Sequence, residues 1–513
     1  MSIMGLILTF AKYASLIILP YVALVIGYRI FLHPLRNYPG PLAAKISDLY
    51  AGRHALAMQL HLRTFLDLKQ YGPVIRHGPN KLVFSSAQAL QDIYNNQRVT
   101  KSHIYGLTIT SGNPSIFNVL DRQVHRNKRK LIGQAITDKA MRSFEPTMLE
   151  QVNVFINQLL LASQRSVPVN MTDVTKRLGV DVVGHLAFGY ALNMQTDPRY
   201  RFVLQGLAIS TYQSNSFMQF PALKKLGLHN LLLLAGFSKR MKYRQMLQEM
   251  ITSRLSQDKH ARTDLYSFVA DHLDDPSNGV TTSELWSEAL FFFPAGGDTT
   301  TTAMSSLFFY LSRNSHVYDR LAAEIRQTFA NDSEIRGGAS LASCRYLRAC
   351  IDEALRICPP VSGTLWRELY PEEQGKPFIV DGHVIPARTQ VGVNIYALHH
   401  NEEYFSDSFA FRPERWLVED ESTLSRMHSA FGPFSLGPRG CAGKAMAYLE
   451  ASLVIAKTIW RFDFEVAPGK EGELGAGIPD RGGGRDRPDE FQLYDTFGSR
   501  HDGPNLVFRV RDL

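Results

Sequence analysis

The stretch from residue 282 to residue 313 constrains this chain most. Thr281-Thr282-Ser283-Glu284 reads as a capping box, in which the threonine hydroxyl and the glutamate carboxylate satisfy the first free N–H groups of a helix. A helical pattern runs on through Leu285, Leu290, Phe291 and Phe292 to Leu307, Phe308 and Leu311. Apolar side chains nearly all round predict a helix buried in the middle of the protein. At about 1.5 Å per residue it would cross the whole domain. In its centre lies Pro294-Ala295-Gly296-Gly297-Asp298-Thr299-Thr300. Pro294 removes the hydrogen bond to the Leu290 carbonyl, which predicts a kink, and the two glycines widen the defect. A break in a buried helix is costly unless something occupies it. Thr299 to Thr302 can also simply bond back to their own helix.

The chain has 513 residues, 45% of them hydrophobic and 20% charged, as in an ordinary globular protein. A single large domain, mainly α with a smaller β region, accommodates the order of the motifs. The net charge of +8 suits an anionic membrane surface or an acidic protein partner. No dense Lys/Arg tract with interleaved aromatics argues for nucleic acid. Cys344, Cys350, Cys358 and Cys441 are too few for a disulfide framework and lack zinc-ligand spacing. We read three reduced structural thiols and one ligand, in a body facing a reducing compartment.

The ligand is Cys441, because of its frame: Phe434-Ser-Leu-Gly437-Pro-Arg439-Gly440-Cys441-Ala-Gly443. Glycines let the backbone pass close to a flat macrocycle. N–H groups near a helix start can hold the sulfur as thiolate. Arg439 can pair with a carboxylate, and Phe434 can cover the sulfur. These are the needs of a thiolate ligand to a haem iron, which favours O–O cleavage.

The frame resembles the haem-binding signature F-x-x-G-x-R-x-C-x-G of the cytochrome P-450 family, with every fixed position filled. The central heptapeptide resembles the family's A-G-x-D-T-T oxygen groove. The resemblance implies haem b with iron on Cys441, and Asp298 and Thr299 as an acid–alcohol pair delivering protons. It implies Arg367, His125 and Arg129 as contacts to the haem propionates, beside Arg439, Phe434, Gly437 and Gly443. It implies an ion network of Glu353, Arg356 and Arg415 that fixes the cysteine loop without doing chemistry. The hairpin Phe378 to Thr389 departs from the pattern: Arg388 stands where a glycine is usual, which puts the local turn in question. The glycine-rich stretch 469–488 lacks a G-x-G-x-x-G frame and reads as a flexible loop.

Residues 3 to 28 are almost wholly apolar, interrupted by Lys12 and Pro20. They predict a retained signal-anchor of bilayer length, with Arg29, Arg36 and Lys45 placing the following body on the cytoplasmic side. A buried core helix is the alternative. The expected organisation is a transmembrane anchor over 1–32, a proline-rich hinge over 33–45 like that of microsomal members, and a haem-thiolate catalytic domain over 46–513. The expected location is the endoplasmic reticulum membrane.

No flavin or nicotinamide motif occurs, so the resemblance implies electrons from NADPH through a separate cytochrome P-450 reductase, with cytochrome b5 a second donor. Lys128, Lys130 and Lys444 are expected on the docking face. The implied reaction inserts one oxygen atom from O2 into an apolar small molecule. The text is most like fungal members that tailor secondary metabolites such as terpenoids or polyketides. An isomerase or dehydratase of the same fold, and a non-catalytic haem-binding protein, are the other readings. The intact acid–alcohol pair opposes both. Expected walls are 102–117, 206–236, 291–295 and 361–365, with Ser210, Thr211 and Gln213 as polar handles.

Overall fold

A computed structural model of the chain describes residues 3–109, 112–135, 137–228, 237–258, 261, 264–269 and 281–512. Its centre is the interrupted helix anticipated above. Thr282–Gly297 starts at the Thr281/Glu284 capping box, and Thr299–Leu311 continues after Asp298. The second half is buried at every residue from Thr300 to Leu311. Around it pack Asp138–Gln164, Met171–Phe188, Arg345–Ile357 and Lys444–Arg461. Their inward stripes, including Met148, Leu178, Phe308, Ile351 and Leu453, form one continuous apolar core.

A five-stranded sheet stands to one side, in the order Val74–Gly78, Lys81–Phe84, Gln390–Val393, Arg367–Leu369 and Val99–Lys101. Lys81–Phe84 and Gln390–Val393 run parallel, and the other pairs are antiparallel. Near the C-terminus, Asn505–Val510 is the middle strand of a small sheet between Val169–Asn170 and Phe462–Val466. In the hairpin Phe378 to Thr389, Asp381 and Gly382 form the turn that joins Ile379–Val380 to His383–Val384, both with positive φ (48° and 75°).

The interruption of the central helix lies at Asp298, four residues after Pro294. The helix passes through Pro294 and is interrupted at Asp298, whose N–H still reaches the Pro294 carbonyl at 3.3 Å. The glycines serve helix packing. A Cβ on Gly296 would meet Val183 Cγ2 at 2.5 Å, and one on Gly297 would meet Val180 Cγ2 at 2.8 Å. They let Met171–Phe188 approach the central helix. Threonine hydroxyls then bond the carbonyls around the break: Thr299 to Ala295 (2.6 Å), Thr301 to Gly297 (3.2 Å), Thr302 to Asp298 (2.9 Å).

The N-terminal segment forms the helix Ile3–Gly27 and a π turn, Tyr28–Leu32. Leu16, Ile17, Leu19 and Leu24 are exposed on it. Among the described residues, no helix is long and apolar enough to cross a membrane. The proline-rich segment is docked on the body instead of standing free. Leu35 is fully buried, Arg76 N–H donates to the Pro39 carbonyl at 2.7 Å, and the Arg76 guanidinium donates to the Arg29 carbonyl at 2.7 Å. The stretch 469–488, expected as a loose loop, folds back on itself. Ile478 N–H donates to the Arg485 carbonyl, and buried Arg485 is bonded to Gln492 and the Leu493 carbonyl.

Candidate active site

The frame around Cys441 is a closed loop. Cys441 N–H donates to the Phe434 carbonyl at 2.8 Å. Gly437 sits at φ 65°, where a Cβ would meet the Tyr94 carbonyl oxygen at 2.2 Å, so no other residue fits. Gly443 is different: at φ −85° it caps Lys444–Arg461, and a Cβ there would meet nothing within 4 Å. Its contribution is its N–H, which donates to the Cys441 sulfur. Burial pushes the Cys441 thiol up, while that N–H, Arg129 and Lys444 favour the thiolate. The side chain is enclosed by protein, yet its residue surface is exposed, because it opens onto an internal cavity. Phe434 lines the same cavity, its ring 5.2 Å from Tyr448 and 5.8 Å from the Lys444 ammonium. The other three cysteines are free and buried.

The cavity measures about 330 Å³. Thr299, Phe291 and Ala295 of the central helix form part of its wall, and Arg439, Arg367, His125 and Arg129 another. Arg129 donates to the Gly440 carbonyl at 2.7 Å, and Arg439 to the carbonyls of Val119 (2.7 Å) and Leu120 (2.9 Å). Arg367 holds the Trp366 carbonyl at 3.1 Å. Sequence reasoning missed Lys101, which joins this group from an edge strand and donates to the Phe117 carbonyl at 2.5 Å. No local motif marks it. Burial and the neighbouring Arg367 and Arg439 push its ammonium well below the usual lysine range. Burial, then Arg439 and Lys101, hold His125 neutral, down at about 3.

Asp298 is not among the residues that line the cavity; burial raises its carboxyl, and Lys176 opposes that rise. Thr299 does line it, with its hydroxyl donated to Ala295. The network behind the loop is as expected and larger. Both Glu353 oxygens are used: Arg356 and Arg415 donate to it at 2.8 and 3.0 Å, and so does the Trp416 indole at 3.0 Å. The two guanidiniums hold the fully buried Glu353 below the usual carboxylate range against its desolvation. His399, also missed, links this network to the loop through the Arg356 carbonyl and the Gly432 N–H.

Over residues 53–475 the chain matches the family model described as cytochrome P450. The chain belongs to the cytochrome P450 family. Three similar curated proteins are named monooxygenases. The cytochrome P450 monooxygenase AKT7 of Alternaria alternata is 34% identical, with 96% of each chain covered. The monooxygenase poxM of Penicillium oxalicum is 34% identical (94% of this chain, 92% of poxM). The monooxygenase apf7 of Gibberella fujikuroi is 31% identical (94% and 95%). The cytochrome P450 chain is thus an enzyme, an oxidoreductase of the monooxygenase type. Its family uses a thiolate-ligated haem, a redox partner and a small-molecule substrate.

The residues present fit that group. A haem carries two carboxylates, and Lys101, Arg129, Arg367 and Arg439 converge on the cavity beside Cys441. The one lining carboxyl among the described residues, Glu450, belongs to the cysteine's own following helix and is itself pushed up to about 8 by burial. Three guanidiniums, with a lysine whose ammonium burial and two of them disfavour, are costly in one buried wall, and an anionic guest offsets that cost.

The expected docking residues divide. Lys130 and Lys444 are exposed, but Lys128 is buried, paired with Glu284 and Glu288 at 3.1 Å each. The polar half of the helix Arg122–Ala135 turns inward there because two carboxylates of the central helix await it. Of the expected walls, Tyr105, Phe117, Val361 and Leu365 line the cavity. Residues 110, 111 and 229–236 lie outside the described residues. Ser210 and Thr211 line an adjoining space, whereas Gln213 is buried away from both. Phe497, at the tip of the hairpin Tyr494–Arg500, was not foreseen as a wall.

Proposed function

We propose that the chain inserts one oxygen atom from O2 into an apolar part of a small molecule, with Cys441 as the axial thiolate and electrons arriving from NADPH through a separate reductase. The observation that supports this best is Cys441 opening onto a cavity whose wall gathers Lys101 and three arginines. When bound, the haem supplies activation of dioxygen at an iron held by the Cys441 sulfur.

The chain's own residues do the rest. The Gly443 N–H and the Arg129 guanidinium stabilise negative charge on the sulfur. Lys101, Arg367 and Arg439 neutralise the carboxylates of the guest, and His125 donates one N–H as a neutral imidazole. Thr299 holds a proton at Oγ1 on the cavity wall, shared with the Ala295 carbonyl. Asp298, its carboxyl raised by burial, is the acid that relays protons to Thr299. Phe291, Phe292, Val361 and Leu365 exclude water and hold an apolar substrate face.

The helix Ile3–Gly27, with its exposed leucines and isoleucines, lodges in the endoplasmic reticulum membrane and leaves the body on the cytoplasmic side. Exposed Lys130 and Lys444 belong to the face that meets the reductase or cytochrome b5. The substrate is a secondary metabolite, terpenoid or polyketide, a reading that rests on the sequence resemblance alone. The difference spectrum of the reduced protein with carbon monoxide tests the assignment. A Soret band shifted far to the red is expected, and Cys441→His should abolish it. A band at the position of histidine-ligated haem in the unaltered protein would overturn the role of Cys441.

A further inference from the structure

Beyond the main cavity lies a second chamber of about 130 Å³. The two spaces share Phe117, Phe291, Phe497, Thr299, Ala295 and Val361. Three of these form an aromatic partition. Phe117 stacks on Phe291 with centroids 5.1 Å apart and planes at 14°, and Phe497 stands edge-on to Phe117 at 4.9 Å. Phe497 reaches this place from a left-handed backbone, φ 79°, which a bulky residue rarely adopts.

The lining beyond the partition changes character. Ser210, Thr211 and Ser214 occupy one face of the helix Phe202–Gln219, at i, i+1 and i+4. Ser287 faces them from the central helix, and Ser115 and Asn118 come from the connecting loop. Thr211 gives its proton to the carbonyls of Leu207 and Ala208, which leaves its oxygen an acceptor. No Asp, Glu, Lys, Arg or His lines this chamber among the described residues. Glu288, next to Ser287 in the chain, is spent on Lys128 and on the Ile116 N–H.

We propose that this chamber is the subsite for an uncharged hydrogen-bonding group of the substrate, a hydroxyl, ketone, lactone or amide. It holds that group on the far side of the partition, while an apolar part of the same molecule passes into the main cavity toward Cys441. A carboxylate or ammonium is excluded, because burial without a counter-ion costs far more than burial of a neutral polar group. The substrate is then a neutral amphipathic molecule, and the reaction that supplies it has already installed an oxygen or amide function remote from the carbon oxidised here. The inference rests on the proposed haem site.

The test uses the haem-loaded, full-length protein and 1-alkylimidazoles of graded length ending in methyl, hydroxyl, carboxylate or ammonium. The imidazole nitrogen binds iron and shifts the Soret band, and the tail probes the chamber. The haem band itself, read before any probe is added, separates failure of the proposed function from failure of this inference. At the best length the hydroxyl-ended probe should bind about three- to tenfold more tightly than the methyl-ended one. The carboxylate and ammonium probes should bind least. The double variant Thr211→Val/Ser214→Ala should erase the hydroxyl's advantage and leave the affinity of the methyl-ended probe and of imidazole itself unchanged. Tightest binding by a methyl-ended or charged probe would overturn the proposal, as would a hydroxyl preference that survives in the double variant.

Discussion

Nε2 of His399 accepts a hydrogen bond of 3.1 Å from the N–H of Gly432, at the start of the cysteine loop. The other ring nitrogen, Nδ1, lies 3.0 Å from the Arg356 carbonyl, so it carries the proton. One neutral imidazole therefore ties the Glu353 network to the loop that presents Cys441. Burial, with Arg356 close by, holds it down at about 3. Its folded value lies below its unfolded one. The stability it represents is complete above about pH 6.5 and is lost as pH falls toward 3, at about 1.4 kcal/mol per pH unit. His399→Leu should flatten the acid limb of a stability-against-pH curve by that one proton. It should also cost about 2 kcal/mol or more at neutral pH, because two buried backbone groups lose their partner. Urea unfolding at several pH values measures both.

Glu450 behaves in the opposite sense. Its Oε1 is buried with no hydrogen-bond partner, and burial pushes the carboxyl from 4.5 up to about 8. Between those values the folded chain keeps a proton that the unfolded chain has lost, so stability falls as pH rises through that window. Glu450→Gln should leave stability near pH 4 almost unchanged. At pH 8 and above it should raise stability by up to a few kcal/mol. Thermal unfolding of both proteins across the window checks the sign.

Arg388 has φ 61°, the left-handed region that glycine occupies at low cost. The turn that Arg388 put in question thus keeps the glycine geometry while an arginine bears the strain. Arg388→Gly should stabilise the chain by about 0.5–1 kcal/mol, the relief of strain less the extra freedom of glycine in the unfolded state. Chemical denaturation should show a higher midpoint with an unchanged slope.

Thr299→Ala removes the one hydroxyl of the helix break that faces both chambers. Once haem-loaded and supplied with a reductase, the variant should consume NADPH while releasing peroxide instead of product. Thr299→Ser should restore most of the coupling. Unchanged coupling in Thr299→Ala would remove Thr299 from the proton path.

Replacing Glu353 with Gln keeps the shape of the carboxyl but leaves Arg356 and Arg415 as buried charges. A loss of about 3–5 kcal/mol and poor haem retention are expected, since breaking a buried pair exposes the uncompensated partner. Absorbance of the retained haem against total protein measures the second effect.

What was legible in the sequence was what lies close together along the chain. Gly437, Cys441 and Gly443 share one loop, and the Thr281/Glu284 box spans a single helical turn. Glu353 and Arg356 sit a turn apart, but the spacing is common on solvated helices, so their network with Arg415 came only from the resemblance. Side chains that reach the site from elsewhere left no such trace. Lys101 is one lysine on an edge strand, and Phe497 tips a short hairpin near the C-terminus. Lys128 looked like part of a solvated basic face because its carboxylate partners lie 156 and 160 positions away. The glycines of the central helix were read as defects, when the valines of a neighbouring helix require them. Asp298 stands beside Thr299 in sequence, but only Thr299 is among the residues that line the cavity.

The docked proline segment has a consequence for how the protein meets its surroundings. Because Arg29 and Pro39 are fastened to the body through Arg76, and Leu35 is buried in it, the angle between the N-terminal helix and the body is set by folding. If that helix lodges in a bilayer, every copy stands at one tilt with the same flank toward the lipid. The entrance to the cavity then keeps a constant height above the membrane. An encounter with a partner held in that membrane becomes a search over position and heading in a plane, with no tumbling left to average.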